Sequence, residues 1–246
     1  MLQFFKKNKP KQEALDIPKH IGIIMDGNGR WAKRKALPRS VGHHAGANTL
    51  KKIVRYCDKI GVEYLTVYAF STENWIRPQQ EVDSIMSLLL EYLLDFKNQL
   101  DGDLVVIHVI GDRTPFTDEI KKAMQTVEDY TKNNTGIVLN IALNYGGRSE
   151  IVNAAKTLAE MVQKGEITPK EIDEQKMNQL METKDCAEVD LIIRPSGEKR
   201  LSNFLLWQAA YAELWYDEIC WPDFKTSDLD RAILDFNKRN RRYGGV

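Results

Sequence analysis

Three short stretches of this 246-residue chain carry residue types that handle anions. The first is DGNGRW at 26–31, directly after an apolar run at 20–25. Gly27 and Gly29 flank Asn28 and let backbone amides approach a phosphate closely, and Arg30, Arg39 and His43 add charge nearby. Neither Gly-x-x-x-x-Gly-Lys-[Ser/Thr] nor Gly-x-Gly-x-x-Gly is present, so the common nucleotide loops do not account for it. Asp26 is the anomaly, because a carboxylate at the mouth of an anion site repels the ligand unless a cation stands between them. The second stretch, YAFSTENWIRP at 68–78, closes an apolar run with Ser71, Thr72, Glu73, Asn74, Trp75 and Arg77. Arg77 has the fork to grip a diphosphate through two N–H groups, whereas Asn74 orients a proton or a water without being a strong base. The third, DLIIRPSGEKRLSNFLLWQAAYAELWY at 190–216, delivers Arg194 and then Arg200 and Ser202 at the expected start of a helix. Glu213 follows some three turns later as a lone carboxylate among apolar residues, where it needs a salt bridge or a metal. Taken singly, each stretch reads equally well as a capped loop with solvated arginines. Together they hold enough charge for two diphosphates and one divalent ion, and magnesium takes only one or two carboxylates alongside phosphate oxygens and water.

Positioning these residues requires a scaffold. Apolar runs at 20–25, 63–70, 104–110, 137–143, 189–194 and 214–220 predict strands. Helical periodicity predicts helices at 43–60, 82–100, 117–132, 149–164, 169–182, 203–212 and 227–239. Such alternation predicts an α/β fold with a central, mostly parallel six-stranded sheet flanked by helices. The expected organisation is one domain over 1–246, with 1–17 a flexible N-terminus. Ligands in such sheets sit at the carboxyl ends of the strands, where all three stretches fall. The segment EVDSIMSLLLEYLLDFKNQL is apolar around most of its circumference, so it is either a central core helix or dimer contact, or the wall of an apolar tunnel.

Composition bounds the partners. Thirty-five basic and 35 acidic residues cancel, so despite KRK at 33–35 and KRNRR at 238–242 nothing argues for nucleic acid. Three cysteines without a Cys-x-x-Cys fit a reducing, cytoplasmic setting and argue against a disulfide framework or a zinc ribbon. No apolar run is long enough to cross a bilayer. The opening MLQFFKKNKPK is read as a frayed terminus ahead of a membrane-grazing tip.

The blocks HIGIIMDGNGRWAK, GHHAGANTLKKI, LTVYAFSTENWIRP, LNIALNYGGRSEI, IIRPSGEKRLSNFLLWQAAYAELWY and WPDF, in this order and spacing, resemble the cis-prenyltransferase family, in its bacterial undecaprenyl diphosphate synthase branch. The resemblance spans about 20–245 and implies a homodimer, a deep hydrophobic tunnel and a magnesium-dependent enzyme. The implied reaction is repeated condensation of isopentenyl diphosphate onto farnesyl diphosphate, giving a long cis-polyprenyl diphosphate that serves cell-wall polymers. Carried over by position, Asp26 is the essential carboxylate and magnesium ligand. Gly27, Asn28, Gly29, Arg30, Trp31, Arg39 and His43 form the allylic diphosphate pocket. Ser71, Thr72, Glu73, Trp75 and Arg77 match a second substrate loop, and Asn74 a residue involved in proton removal. Arg194, Arg200, Leu201 and Ser202 match the isopentenyl diphosphate site, and Glu213 a second magnesium ligand. Arg242 and Gly244 match a C-terminal Arg-x-Gly that reaches the partner's site. Two positions depart from the pattern: Lys199 stands where some members have a metal-binding histidine, and Pro195 where threonine is more usual. The resemblance leaves open shorter or longer products, and a non-catalytic partner subunit is disfavoured because the catalytic residues are present. Contact with the inner face of the membrane for product release is a further expectation.

Overall fold

The computed structural model describes residues 15–99 and 104–239. Six strands form one sheet: β1 His20–Ile24, β2 Tyr64–Ser71, β3 Val106–Ile110, β4 Val138–Tyr145, β5 Leu191–Arg194 and β6 Glu213–Tyr216. Their spatial order is β3-β4-β2-β1-β5-β6, and every pairing is parallel. The sheet is therefore wholly rather than mostly parallel. All five residues of β1 are buried, as expected of a central strand covered on both faces.

The helices are α1 Asn28–Arg34, α2 Arg39–Ile60, α3 Gln79–Leu94, α4 Phe96–Gln99, α5 Asp118–Thr131, α6 Gly147–Gln163, α7 Glu174–Asn178 and α8 Thr226–Lys238. Gly61, at φ 92°, ends α2 with a left-handed residue that costs glycine little. Four expectations change, the first being the helix read at 169–182, which is a 3-10 turn Pro169–Glu171 followed by the five-residue α7. The seven-residue α1 has no apolar stripe long enough to detect from sequence. The long apolar helix bends at Asp95, so it ends at Leu94 and a short α4 follows. Residues 203–212 form successive turns rather than a helix, because Ser202, Asn203 and Leu205 take positive φ of 49°, 67° and 46°. Those angles break any helical hydrogen-bond ladder.

The main core fills the space between the sheet and α2, α3, α5 and α8, with Ile21, Ile53, Leu65, Met124 and Leu229 fully or almost fully buried. A smaller cluster around Phe204, Leu205 and Tyr145 seals the other face. The chain pairs β1 with β2, builds outward through β4 and β3, then returns to pair β5 with the other edge of β1. That reversal opens a crevice beyond the carboxyl end of β1, where such sheets hold their ligands.

Candidate active site

The crevice is a cavity of about 800 Å³, walled by the ends of β1, β2 and β5 and by the first turns of α1, α2 and α3. Asp26, Gly27, Asn28, Gly29, Arg30, Arg39, His43, Ser71, Glu73, Asn74, Arg77, Arg194, Arg200 and Ser202 all line it. The three stretches singled out in the sequence thus meet in one place, because β2 and β5 flank β1.

Asp26 leaves β1 two residues past its end and meets Arg194 from the neighbouring β5, with Asp26 Oδ2 2.9 Å from Arg194 Nη2. Its Oδ1 accepts from the Gly27 amide at 2.6 Å and lies 3.3 Å from Arg30 Nη2. Burial alone would push the Asp26 carboxyl up, but the hydrogen bond and charge of Arg194, the charge of Arg30 and the Gly27 amide outweigh it. The carboxyl is held below its ordinary range and stays ionised. Gly27 sits at φ 98°, and a Cβ there would lie 2.9 Å from Ser196 Cβ and 3.0 Å from Cys220 Sγ, so only glycine fits this turn.

Arg194 is only 4% exposed. Besides Asp26 it donates to the Arg200 carbonyl and, at 2.8 Å, to Ser202 Oγ. Its Nε has no hydrogen-bond partner among the described residues. The buried Arg194 guanidinium and the exposed Arg200 together put positive charge on this wall of the cleft. Arg30 donates to the Ser196 carbonyl at 2.7 Å and to Ser196 Oγ at 2.6 Å. The buried Pro195 leads into this turn, whereas Lys199 points to solvent.

Across the cavity, Arg39 and Arg77 both bond to Glu81, Arg77 at 3.1 Å. Glu81 is an acid the sequence reading missed; its only signal was its i+4 spacing from Arg77. His43 lies in the second turn of α2, not at its start, since the helix begins at Arg39. Burial first, and then the charge of Arg77, hold its imidazole below the ordinary value, so it is a neutral donor and acceptor. Asn74 Oδ1 accepts from the Ser71 amide at 3.1 Å, which ties the turn after β2. Glu73 accepts from Asn203 Nδ2 at 2.9 Å and links this turn to the irregular segment after β5.

Other expected residues lie outside the cavity wall. Trp31 donates to Asp223 Oδ1 at 2.7 Å. Trp75 turns inward onto Phe70, donating to Asn144 Oδ1 at 2.8 Å. Thr72 abuts Gly146, and Leu201 packs on the smaller core cluster. Glu213 opens β6 opposite Leu191, three residues before the register position of Arg194, and pairs with Arg239. At about 3.3 Å per residue it lies near the amino edge of the sheet, and one chain does not bring it to Asp26. The physical reason is that 203–212 is not a helix, so Glu213 begins a strand. Arg242 and Gly244 lie outside the described residues.

An apolar cavity of about 210 Å³ continues from the polar one, sharing Met25, Asn28, His43, Ala69 and Ile85 with it. It runs between α2, α3 and the sheet past Leu50, Leu89, Leu93, Leu139 and Ile141. The long apolar helix is therefore a wall rather than a fully buried core element: only Val82 and Leu93 of α3 are buried.

The family model described as "Putative undecaprenyl diphosphate synthase" matches residues 24–244. The chain belongs to this family. It is thus a prenyl transferase of the cis-prenyltransferase type. An isoprenyl transferase of Clostridium perfringens is 52% identical over 252 residues, spanning all of both chains. One from Streptococcus thermophilus is 49% identical over 251 residues, again across both chains. Among solved structures, lavandulyl diphosphate synthase from Lavandula x intermedia, in complex with dimethylallyl diphosphate, superposes with a TM-score of 0.89 at 34% identity, covering 93% of this chain and 98% of that one. A probable undecaprenyl diphosphate synthase from Campylobacter jejuni gives 0.78 at 32% identity, covering 94% of this chain and all of that one.

Proposed function

We propose that this isoprenyl transferase condenses isopentenyl diphosphate repeatedly onto farnesyl diphosphate to make undecaprenyl diphosphate. The observation that carries the reading is the junction at Ala69 and Ile85, where a cleft lined with arginines becomes an apolar cavity. A ligand that fills both has a charged head and a long hydrocarbon tail. Isoprenyl diphosphates have that form, and relatives at about half identity over full length are isoprenyl transferases.

In this reading the allylic diphosphate lies against Gly27 to Arg30, Arg39, His43 and Arg77, with its tail along α3. Isopentenyl diphosphate is held by Arg194, Arg200 and Ser202. Holding the two reacting carbons together removes most of the entropic cost of a bimolecular step. The alkene carbon of isopentenyl diphosphate bonds to C1 of the allylic chain while the C1–O bond breaks and diphosphate leaves. A proton is then lost from isopentenyl C2, forming the new double bond. The arginines stabilise the charge that collects on the departing diphosphate. The proton passes to the nearest anionic oxygen, on Asp26 or on diphosphate. Arg194 and Arg30 make the Asp26 carboxylate the weaker base, which favours diphosphate.

Asp26 is an ionised carboxylate facing the cleft, and no group of three His, Cys, Asp or Glu gathers among the described residues. That donor set fits magnesium held by one carboxylate with diphosphate oxygens and water. When bound, the metal adds Lewis-acid stabilisation of the leaving group. The homodimer implied by the resemblance remains part of the same proposal.

The test is incubation with farnesyl diphosphate, labelled isopentenyl diphosphate and magnesium, followed by chain-length analysis. A long polyprenyl product supports the reading. No incorporation would refute it, and a single condensation would replace undecaprenyl with a short-chain product.

A further inference from the structure

Ile76 is the most exposed of the large apolar side chains among the described residues, at 88%. Its turn explains why: Trp75 rotates inward onto Phe70, which forces the next residue outward. Leu37 and Val41 are also exposed, at 40% and 38%. Leu37 sits on the turn after α1, where Ala36 takes φ 54° and the Leu37 amide donates back to the Ala32 carbonyl at 2.9 Å. Glu81 receives Arg39 and Arg77 together, so the turn bearing Leu37 and the turn bearing Ile76 flank one rim of the cleft.

The same rim is basic. A shallow groove continuous with the cleft is lined by Arg30, Lys33, Leu37 and Arg39. Arg34 and Lys35 lie beside it, with Lys35 Nζ 4.9 Å over the Trp31 ring. Arg34 has only a 3.9 Å contact with Asp223, and the Glu81 side chain, 11% exposed, is already shared by two arginines. The chain as a whole is neutral, so this excess of positive charge is local. Exposed aliphatic side chains set among lysines and arginines match a bilayer with anionic headgroups: the aliphatics enter the acyl boundary and the cations meet phosphate.

We propose that this rim docks the enzyme onto an anionic lipid bilayer, with Ile76 and Leu37 inserting and Lys33 and its neighbours meeting headgroups. The occupant is a membrane rather than another protein because the patch combines isolated aliphatics with cations and offers no apolar groove for a partner. The proposal rests on the functional reading above for its purpose: an enzyme docked at this rim holds a long-tailed product next to the lipid that must receive it.

The test is co-sedimentation of the full chain with vesicles of phosphatidylcholine alone and of phosphatidylcholine mixed with phosphatidylglycerol. The wild type should sediment with the anionic vesicles, and binding should weaken as salt rises. The triple variant Lys33→Glu, Leu37→Asp, Ile76→Asp should lose at least about tenfold in vesicle affinity. Its melting temperature and its activity in detergent should match the wild type, since all three side chains are exposed and outside the substrate pocket. Failure of the wild type to bind anionic vesicles would overturn the proposal, as would equal binding by the variant, which would put any docking on another surface. Vesicle binding without any polyprenyl product would keep the docking and remove the functional reading.

Discussion

Arg194 joins the two halves of the site. One nearly buried guanidinium holds the Asp26 carboxylate, the Ser202 hydroxyl and the Arg200 carbonyl, which come from three separate positions along the chain. Truncating Asp26 leaves that guanidinium without its counter-charge. Asp26→Ala should lower kcat by at least about 10²–10³-fold, the scale for losing one group that stabilises developing charge. Farnesyl diphosphate should still bind, as measured by quenching of protein fluorescence, and undiminished turnover would remove Asp26 from the chemistry. Because Arg194 and Arg30 hold the Asp26 carboxyl below its ordinary range, its contribution to stability is present above the unfolded pKa and disappears only as pH falls through the lowered folded value. Residue types were legible in the sequence wherever they ended a strand: Asp26, Ser71 and Arg194 all emerged from apolar runs. Glu81 was not, since a glutamate early in a helix is ordinary and only the fold brings Arg39 to it. The place of Glu213 was not legible either, because its spacing from Ser202 suits a helix and the chain there forms turns instead.

At the scale of elements, the loop at 26–30 depends on how closely α1 packs on α2. A Cβ at Gly42 would lie 2.2 Å from the Asn28 carbonyl oxygen and 3.2 Å from Ala32 Cβ. Backbone cannot yield as a flexible side chain does. Gly42→Ala should therefore cost about 1–3 kcal/mol of stability, and it should raise KM for the allylic substrate more than for isopentenyl diphosphate. Equal effects on both substrates would mean that the damage is global. At the other end of the sheet, His20 is fully buried and bridges Thr66 Oγ1 and the Ala187 carbonyl, each at 2.7 Å, while Asn140 also reaches Thr66 at 3.1 Å. Burial holds its imidazole below 6.5, outweighing the Ala187 carbonyl and Asp190. The unfolded state then binds the proton more tightly, so this stabilisation is complete above pH ~6.5 and is lost as pH falls below it. Thermal melts between neutral and mildly acidic pH should show the loss, and His20→Gln should show a flatter dependence. Five strands were legible because buried parallel strands are continuous apolar runs; β6, in which only Trp215 is buried, was read at 214–220 and runs Glu213–Tyr216. The segment 203–212 was not legible, because its apolar spacing suits a helix while Ser202, Asn203 and Leu205 bend the wrong way.

For the whole molecule, the shape that matters is the passage from cleft to apolar cavity. Ala69 stands at the junction and Leu93 deeper along α3. Ala69→Leu should fill the junction and shift products toward shorter chains, read from the lipid extract by chromatography; an unchanged distribution would place the tail elsewhere. Ile137, by contrast, lies in the solid core just before β4 and does not line the cavity. The apolar excess of α3 was visible in the sequence, but it fitted a core helix or a dimer contact as well as a tunnel wall. The size of the cavity was not visible, because it depends on the distance between elements remote in sequence.

If the proposed repeated condensation takes place, the junction also bears on its time course. Each five-carbon unit that enters the cavity adds burial worth about 0.8 kcal/mol per CH₂ group, so each addition lengthens the residence of the chain being built. Once the cavity along α3 is full, another unit gains nothing further and dissociation overtakes elongation. Chain length is then decided by a race between two rates, and a narrow distribution of products needs no residue that counts.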